Sequence, residues 1–237
     1  MTDKSTDLAR SQGGLLPPFL DGTSLKLLAC ACMVLDHAGD SFFPEQVWMR
    51  ILGRMALPLF AFCLAEGFAH TRDRGRYLKR MGLFALISEV PFDLVTSGRI
   101  LELTHQNIMM TFFWALLGLS LFERLREKGT RPASAGAFVL LAFFSLFSLP
   151  LGMDYHLLGT GLVFLFYLLR RKALPVRLGC GALFHVLLRN VGIYWFGLLG
   201  FVPLLFYNGR RGRGLKWFFY VFYPAHLLLI WAVRSLL

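Results

Sequence analysis

Lys26 and His37 are the two residues whose types and spacing point most directly to chemistry. They stand eleven residues apart in one apolar stretch. On an α-helix this is about three turns, or ~16 Å, so both side chains share a face. A lysine near a membrane surface and an imidazole about halfway across predict a substrate that enters at the surface and reacts at depth. The flanking Asp36 and Asp40 are predicted to orient one ring nitrogen of His37 and leave the other as a base. The alternative is a signal-anchor helix whose polar end lies outside the lipid.

Further ionisable side chains recur inside other apolar stretches, where each costs from ~2.5 kcal/mol upward. Glu89 lies nine residues after Arg80, and His226 lies ten residues after Lys216. Counted from these basic residues, both reach a depth similar to that of His37. Three ionisable groups at one level on three helices predict a shared polar chamber.

Arg50 and Arg54 lie four residues apart near the other end of their apolar stretch, and therefore on one helix face. Asp36, Asp40 and Asp93 fall at a comparable depth, so ion pairs among these groups are predicted. Structural pairing and substrate binding are both open for the arginines. The candidate substrate-binding residues are Arg50, Arg54, Asp93, Asn107 and Tyr223.

The composition is that of a membrane protein, since 56% of the 237 residues are apolar and 15% are aromatic. Long apolar runs separated by short basic clusters predict an all-α, polytopic helical membrane bundle. Nucleic acid is not expected as a partner, because basic loops beside apolar spans usually set topology. Nor is a disulfide framework or a metal site expected, because the four cysteines lie in apolar segments without CxxC spacing. The nine candidate spans are residues 24–43, 50–70, 77–96, 107–122, 135–151, 157–169, 175–189, 192–207 and 217–235.

Basic residues are distributed unequally between the two sets of alternate loops that these spans imply. One set, with the N-terminal tail, holds nineteen Lys and Arg residues, and the other set holds four. The positive-inside rule therefore predicts a cytoplasmic N-terminus and an outside C-terminus. Residues 1–23 are predicted to form a short cytoplasmic tail, and residues 24–237 a single transmembrane bundle.

Several segments resemble the TraX family of bacterial membrane proteins, which is named after a conjugal-transfer protein associated with N-terminal acetylation of F-type pilin. The resemblance runs from about residue 24 to 230. It is carried by the segments LKLLACACMVLDHAG, RILGRMALPLFAFCLAEGFAHTRDRGRYLKRMGLFALISEVPFD, HQNIMMT, DYHLLGTG and FYPAHLLLI. A looser resemblance is to transmembrane acyltransferases with Arg, ten residues, then His in an early helix. Lys26 replaces that arginine here, and lysine binds a phosphate as a point charge without a bidentate fork.

These resemblances imply an acyltransferase of the bacterial inner membrane that acetylates an acceptor with cytoplasmic acetyl-CoA. The acceptor would be a pilin N-terminal amine, a sugar or a small molecule. The implied catalytic residues are His37, Asp36, Asp40, Glu89 and His226. The residues expected to bind acetyl-CoA are Lys26, Arg72, Arg74, Lys79 and Arg80. A proton-coupled transporter and a non-enzymatic membrane assembly subunit are the alternatives, because mid-membrane His and Glu with Pro-broken helices also suit transport.

Overall fold

The computed structural model describes residues 17–188 and 192–237, in which every regular element is a helix. The predicted all-α class is confirmed for these ranges. The described helices are α1 (Gly22–Phe42), α2 (Val47–Gly53), α3 (Ala56–His70), α4 (Arg74–Thr96), α5 (Ile108–Arg126), α6 (Arg131–Phe147), α7 (His156–Leu168), α8 (Leu174–Leu188), a 3₁₀-helix (Gly192–Gly200), α9 (Phe201–Leu204) and α10 (Lys216–Leu236).

Helical structure occurs in each of the nine predicted apolar segments, and three stretches are long and apolar enough to cross a membrane. These stretches are Val47–His70, Ile108–Arg126 and Lys216–Leu236. The chain is thus a helical membrane protein by length and composition of its helices. Lys4, Arg10 and Arg189, which entered the count of basic residues, lie outside the described ranges, as does most of the predicted tail 1–23.

The predicted span 50–70 is interrupted, because α2 ends at Gly53 and α3 begins at Ala56. Pro58 explains the break, since it has no N–H to donate to the carbonyl of Arg54 four residues earlier, and its ring would clash there. The turn between the two helices contains Arg54, whose side chain belongs to the site described below.

Polar side chains start several helices by accepting bonds from otherwise unpaired N–H groups. Asp21 accepts from the N–H groups of Thr23 and Ser24 at 3.0 and 2.8 Å at the start of α1. The Ser24 N–H holds the pKa of the Asp21 carboxyl below its usual range. Asn107 caps α5 in the same way by accepting from Met109 and Met110. These caps fix where α1 and α5 begin.

Contacts between loops and helix ends divide the bundle into two ends, which we call the basic end and the opposite end. At the basic end, Arg74 and Arg170 both approach Glu123, at 3.7 and 3.9 Å. At the opposite end, the backbone N–H of Gln106 donates to the carbonyl of Gly152 at 2.9 Å. The Arg-rich loops that the sequence assigns to one side therefore contact one another, as do the loops assigned to the other side.

The packed interior surrounds α3, whose aromatic side chains meet those of α7. Phe62 and Phe166 make an edge-to-face pair at 5.3 Å, and Phe68 and Tyr167 make another at 5.2 Å. Such pairs stabilise a core beyond their buried area. Many large apolar side chains instead point outward, as the lipid-facing surface of a membrane protein requires: Leu86, Leu183, Val202 and Leu229 are examples.

Helix α1 is held between its sequence neighbours and the C-terminal helix, since it packs against α2, α3 and α10. Gly53 permits the approach of α2, because a Cβ there would overlap the Cβ of Asp36. Helix α10 also packs along α4. This arrangement brings the polar faces of α1, α4 and α10 together.

Candidate active site

His37 and His226 form a hydrogen-bonded pair between the first and the last helix. His37 Nδ1 lies 2.8 Å from His226 Nε2, and the rings are nearly parallel, with 12° between their planes. His226 is buried, and its own Nδ1 lies 2.9 Å from the carbonyl oxygen of Phe222, one turn earlier in α10. The structure therefore joins two of the three ionisable groups that the sequence sets at one depth.

The hydrogen bonds determine which nitrogens carry protons when both imidazoles are neutral. A carbonyl oxygen only accepts, so His226 Nδ1 donates to Phe222 and His226 Nε2 is the acceptor. His37 must then donate from Nδ1, which leaves the lone pair on His37 Nε2 free to take a proton or attack a carbonyl. Such an orienting partner is what activates a histidine base.

Asp36 and Asp40 do not contact the imidazole of His37 but bind the two arginines. Arg54 Nη2 donates to Asp36 Oδ2, and Arg50 Nη1 lies 2.9 Å from Asp40 Oδ1. Arg50 Nε also lies 3.5 Å from Asp36 Oδ1. The predicted ion pairs of both arginines are thus confirmed for these two aspartates. The bond that the sequence assigns to an aspartate, the one orienting His37, is made by His226 instead.

Asp93 lies apart from this ion-pair network, and its predicted pairing with Arg50 or Arg54 is wrong. Its Oδ2 accepts from the backbone N–H of Glu102 at 2.7 Å, because the loop after α4 folds back onto the helix. Its Oδ1 has no hydrogen-bond partner among the residues that the structure describes. Asp93 therefore secures the loop to α4.

Tyr155 completes the surroundings of Arg54, whose Nη1 donates to the tyrosine hydroxyl at 2.9 Å. Tyr155 and His156 have φ angles of 56° and 42°, in the left-handed region that non-glycine residues seldom adopt. Thr111 holds this turn by donating to the carbonyl of Asp154 at 2.9 Å. Strain of this kind persists only where neighbouring contacts enforce it, and it concentrates at functional sites.

Glu89 is a buried carboxylate on α4, with 9% of its surface exposed. Neither of its oxygens makes a hydrogen bond of normal geometry within the described ranges, although Asn107 lies beside it. Tyr223 of α10 is buried close by and interacts electrostatically with Glu89. A buried carboxylate without a donor is costly unless it is protonated or binds a ligand.

The side chain of Asn107 is fully buried and already committed to the fold. Its oxygen caps α5, and its Nδ2 donates to the carbonyl of Ala85 at 2.9 Å. The Nδ2 group carries two hydrogens, so one donor remains, and the substrate- or oxyanion-binding role suggested for Asn107 by the sequence stays a prediction. The bond to Ala85 ties α5 to α4 beside Glu89.

The residues expected to bind acetyl-CoA fall into separate groups. Lys26 Nζ lies 4.6 Å from the ring centre of Phe219, and Arg80 lies beside the Tyr220 hydroxyl, so both face the first turns of α10. Arg74 faces away from them, toward Glu123. Arg72 and Lys79 are exposed.

Comparison of the sequence with known proteins places it in a family. The family model described as TraX protein covers residues 21–234. The chain belongs to the TraX family. It is 30% identical over 239 residues to the probable fimbrial assembly protein FimC, serogroup H1, of Dichelobacter nodosus, with 90% of this chain and 95% of that protein covered. A segment of 44 residues is 46% identical to an uncharacterized protein of Rickettsia prowazekii (strain Madrid E), covering 19% of this chain and 18% of that one. No solved structure matches.

The site of this TraX-family chain includes residues that the sequence did not single out for a role. Tyr155 and the Phe222 carbonyl each bind a predicted site residue, yet a tyrosine in a turn and a backbone oxygen carry little signal in a sequence. The DYH segment and the spacing of four residues between Phe222 and His226 were the available signals. In the described part of the chain, no three His, Cys, Asp or Glu side chains converge as a metal site would require.

Proposed function

We propose that this chain is an integral-membrane acyltransferase that transfers the acetyl group of cytoplasmic acetyl-CoA to an acceptor. The observation that carries the proposal is the chain of hydrogen bonds from His37 through His226 to the Phe222 carbonyl. It leaves His37 Nε2 as an unprotonated nitrogen inside a membrane bundle, where an unused imidazole would be a cost. Membership of the TraX family supports the same reaction.

In the reaction, His37 Nε2 removes a proton from the acceptor amine or hydroxyl while that group attacks the thioester carbonyl. The C–S bond breaks, the acetyl group is bound to the acceptor, and the thiolate of CoA takes the proton from the imidazolium. In the alternative sequence, His37 Nε2 attacks the thioester itself, the C–S bond breaks, and CoA leaves as its thiolate. The acceptor amine or hydroxyl then attacks the acetyl-imidazolium, the bond between Nε2 and the acetyl group breaks, and the proton of the acceptor passes to the CoA thiolate. In both sequences His226 accepts from Nδ1 throughout and steadies the positive ring.

The two ends of the bundle suit the two substrates of this reaction. Lys26 lies eleven residues from His37 on one helix and offers a positive charge to the phosphates of CoA. On the other side, Glu89 and Tyr223 are candidates to position the acceptor or handle its proton. The ion-pair network of Arg54, Asp36 and Tyr155 holds the helix that bears His37.

The proposal includes nine crossings of the bacterial inner membrane, with the N-terminus in the cytoplasm. The support is the excess of nineteen basic residues over four on alternate loops, together with the contacts that join those loops at the basic end. This orientation brings Lys26 to the compartment that contains acetyl-CoA.

For the acceptor, we propose the N-terminal amine of a pilin subunit. The support is the relative from Dichelobacter nodosus, whose name describes a probable fimbrial assembly protein, and the resemblance to the pilin-acetylation family. Sugars and small molecules serve as comparison acceptors in the experiment.

The experiment uses the full chain, purified into lipid nanodiscs and incubated with radiolabelled acetyl-CoA and a pilin N-terminal peptide. We expect labelled peptide, and slow thioester hydrolysis when the peptide is omitted. His37→Ala should abolish both activities while the protein elutes as the wild type does. His70→Ala is the matched control, because the side chain of His70 is 76% exposed at the basic end.

Three outcomes would count against the proposal. Retained activity in His37→Ala would remove His37 from the reaction. Binding of acetyl-CoA without transfer to any acceptor would favour a transport role. A wild-type protein that neither binds nor hydrolyses acetyl-CoA would favour a non-enzymatic assembly subunit.

A further inference from the structure

The loop 208–215, between α9 and α10, is fastened to the start of α1 through its backbone. Gly212 has a φ of 76°, and a Cβ there would overlap the carboxyl group of Asp21, so the position requires glycine. A basic loop that only sets the membrane topology needs its positive charge but does not need a fixed backbone conformation. The bonds that fasten the loop are Asn208 N–H to Leu20 O at 2.9 Å, Gly22 N–H to Arg210 O at 2.8 Å, and Thr23 Oγ1 to Arg213 O at 2.7 Å and to Arg211 O at 3.2 Å.

The basic side chains of this fixed loop are exposed at the surface of the protein. Arg210, Arg211 and Arg213 are exposed, and none of them makes an ion pair with any residue in the described ranges. Other arginines at the basic end are paired, Arg74 and Arg170 with Glu123 and Arg177 with Glu66, whereas the exposed Arg171 makes no ion pair within the described ranges. The loop is therefore a concentrated positive surface whose backbone has a fixed conformation.

Lys26, a residue of α1, adds a positive charge beside this surface. It is close enough to Arg211 for the two positive charges to repel, and its Nζ lies against the ring of Phe219 at the start of α10. Asp21, which precedes α1, also interacts electrostatically with Lys26, and its Oδ1 accepts from the N–H groups of Thr23 and Ser24. Because Asp21 caps this helix, the N–H groups of α1 themselves are not the anion site.

We propose that the loop 208–215, with Lys26, binds phosphate anions at the basic end of the bundle. Three arginines with planar, bidentate donors suit phosphate oxygens better than isolated lysines do. The phosphate belongs to a soluble nucleotide such as CoA or to the headgroup of an anionic lipid. In its CoA form, the proposal rests on the proposed function and gives the main phosphate contacts to Arg210, Arg211 and Arg213 instead of the Arg72–Arg80 cluster.

The experiment measures binding of CoA to the full chain in nanodiscs of phosphatidylcholine, which supply no anionic lipid. Arg211→Ser should weaken binding about tenfold, the loss expected for one charged hydrogen bond of about 1.4 kcal/mol. Gly212→Ala should weaken it as well, although it leaves the charge unchanged, because it disrupts the loop. Arg171→Ser, which removes an exposed arginine from another loop at the same end, should leave binding unchanged.

A second arm replaces part of the phosphatidylcholine with phosphatidylglycerol and measures how much of it co-purifies with the protein. If the site holds a lipid phosphate, the wild type retains phosphatidylglycerol and Arg211→Ser loses it. In that case neither Arg211→Ser nor Gly212→Ala changes the binding of CoA. Should Gly212→Ala fail to fold, Arg210→Ser joins Arg211→Ser as the test.

Equal effects of Arg211→Ser and Arg171→Ser in both arms would overturn the site. Wild-type acetyl transfer at saturating acetyl-CoA separates the two proposals. If acetyl transfer persists, and Arg211→Ser and Gly212→Ala alter neither CoA binding nor phosphatidylglycerol retention, the phosphate site is rejected and the proposed enzyme is not. No transfer, together with specific loss of phosphatidylglycerol in Arg211→Ser, rejects the enzyme and leaves the site.

Discussion

His37 Nδ1 and His226 Nε2 lie 2.8 Å apart although 189 residues separate them in the chain. The pair exists only when α1 and α10, the first and last described helices, are docked side by side. Helix α10 is in turn held by α4, which carries Glu89. The pair therefore forms only in the correctly assembled bundle, and the chemistry of His37 depends on both α1 and α10.

Replacing His226 should reduce catalysis by freeing His37 to adopt the wrong tautomer. We expect His226→Ala to lower kcat for acetyl transfer by about 10²-fold, the usual scale of general-base catalysis, with little change in KM. His226→Gln should recover part of the loss, because its amide oxygen accepts a hydrogen bond. The measurement is kcat and KM across a pH series. A purely structural role would lower the yield of folded protein and leave the shape of the pH–rate profile unchanged.

The Asp36–Arg54 pair should behave as a coupled buried ion pair in a double-mutant cycle. Arg54 is 6% exposed, and Asp36→Asn alone should lower the free energy of unfolding by about 3–5 kcal/mol because it leaves a buried charge without its partner. The double variant Asp36→Asn/Arg54→Gln should lose less free energy of unfolding than the sum of the losses in the two single variants. Unfolding in mixed detergent micelles measures each free energy.

The surface pair Arg99–Glu102, at 2.9 Å, is the control for that cycle. An exposed pair contributes about 1 kcal/mol or less, so its coupling should be small. Additive effects of Asp36→Asn and Arg54→Gln would show that the buried pair does not act as a unit.

Replacing glycine by alanine should change the free energy of unfolding in opposite directions at two helical positions. Gly136→Ala in α6 meets open space and should raise the free energy of unfolding by up to about 1 kcal/mol. At Gly53 in α2, the added methyl group would overlap Asp36, so α1 and α2 must separate. We expect Gly53→Ala to lower the free energy of unfolding by about 1–3 kcal/mol and to reduce activity. A stabilising effect at Gly53 would contradict the close packing of these helices.

The helices and the depth of the polar groups could be predicted from the sequence because apolarity and distance from a charged boundary are local properties. His37 and His226 were brought together by counting residues from Lys26 and Lys216. The stretch Val47–His70 is one of the three long enough to cross a membrane, as expected for the predicted span 50–70, and the break between α2 and α3 lies just before Pro58.

The partners of polar side chains were harder to predict than their depth. Asp93 and Asp36 have the same residue type and similar depth, yet one binds a loop N–H and the other binds Arg54. Asn107 was predicted to bind substrate, and its cap of α5 and its bond to Ala85 are contacts that the sequence did not indicate. Such choices depend on helix rotation and loop path, which residue type and spacing do not encode.

Cysteine labelling tests the proposed orientation. In a variant lacking the native cysteines, Ile100→Cys should react in spheroplasts with a membrane-impermeant maleimide, because the loop 97–107 is proposed to face outward. Lys128→Cys should react only after the membrane is opened, because its loop belongs to the basic end. Both cysteines should react in detergent, which controls for burial. Labelling of Lys128→Cys in intact spheroplasts would reverse the proposed orientation.

The cap at Asp21 should give the start of α1 a pH dependence in the acidic range. The Ser24 N–H lowers the pKa of Asp21 in the folded protein, so folding favours the ionised carboxylate. The resulting stabilisation is complete above the unfolded pKa of about 3.9 and is lost as the pH falls through the lower folded pKa. Asp21→Ala should therefore be less stable than the wild type by about 1 kcal/mol at pH 6, the usual effect of losing a cap. Thermal unfolding in detergent should show this difference shrinking below about pH 4, and a difference that stays constant down to pH 2.5 would show that the carboxylate charge contributes nothing to the cap.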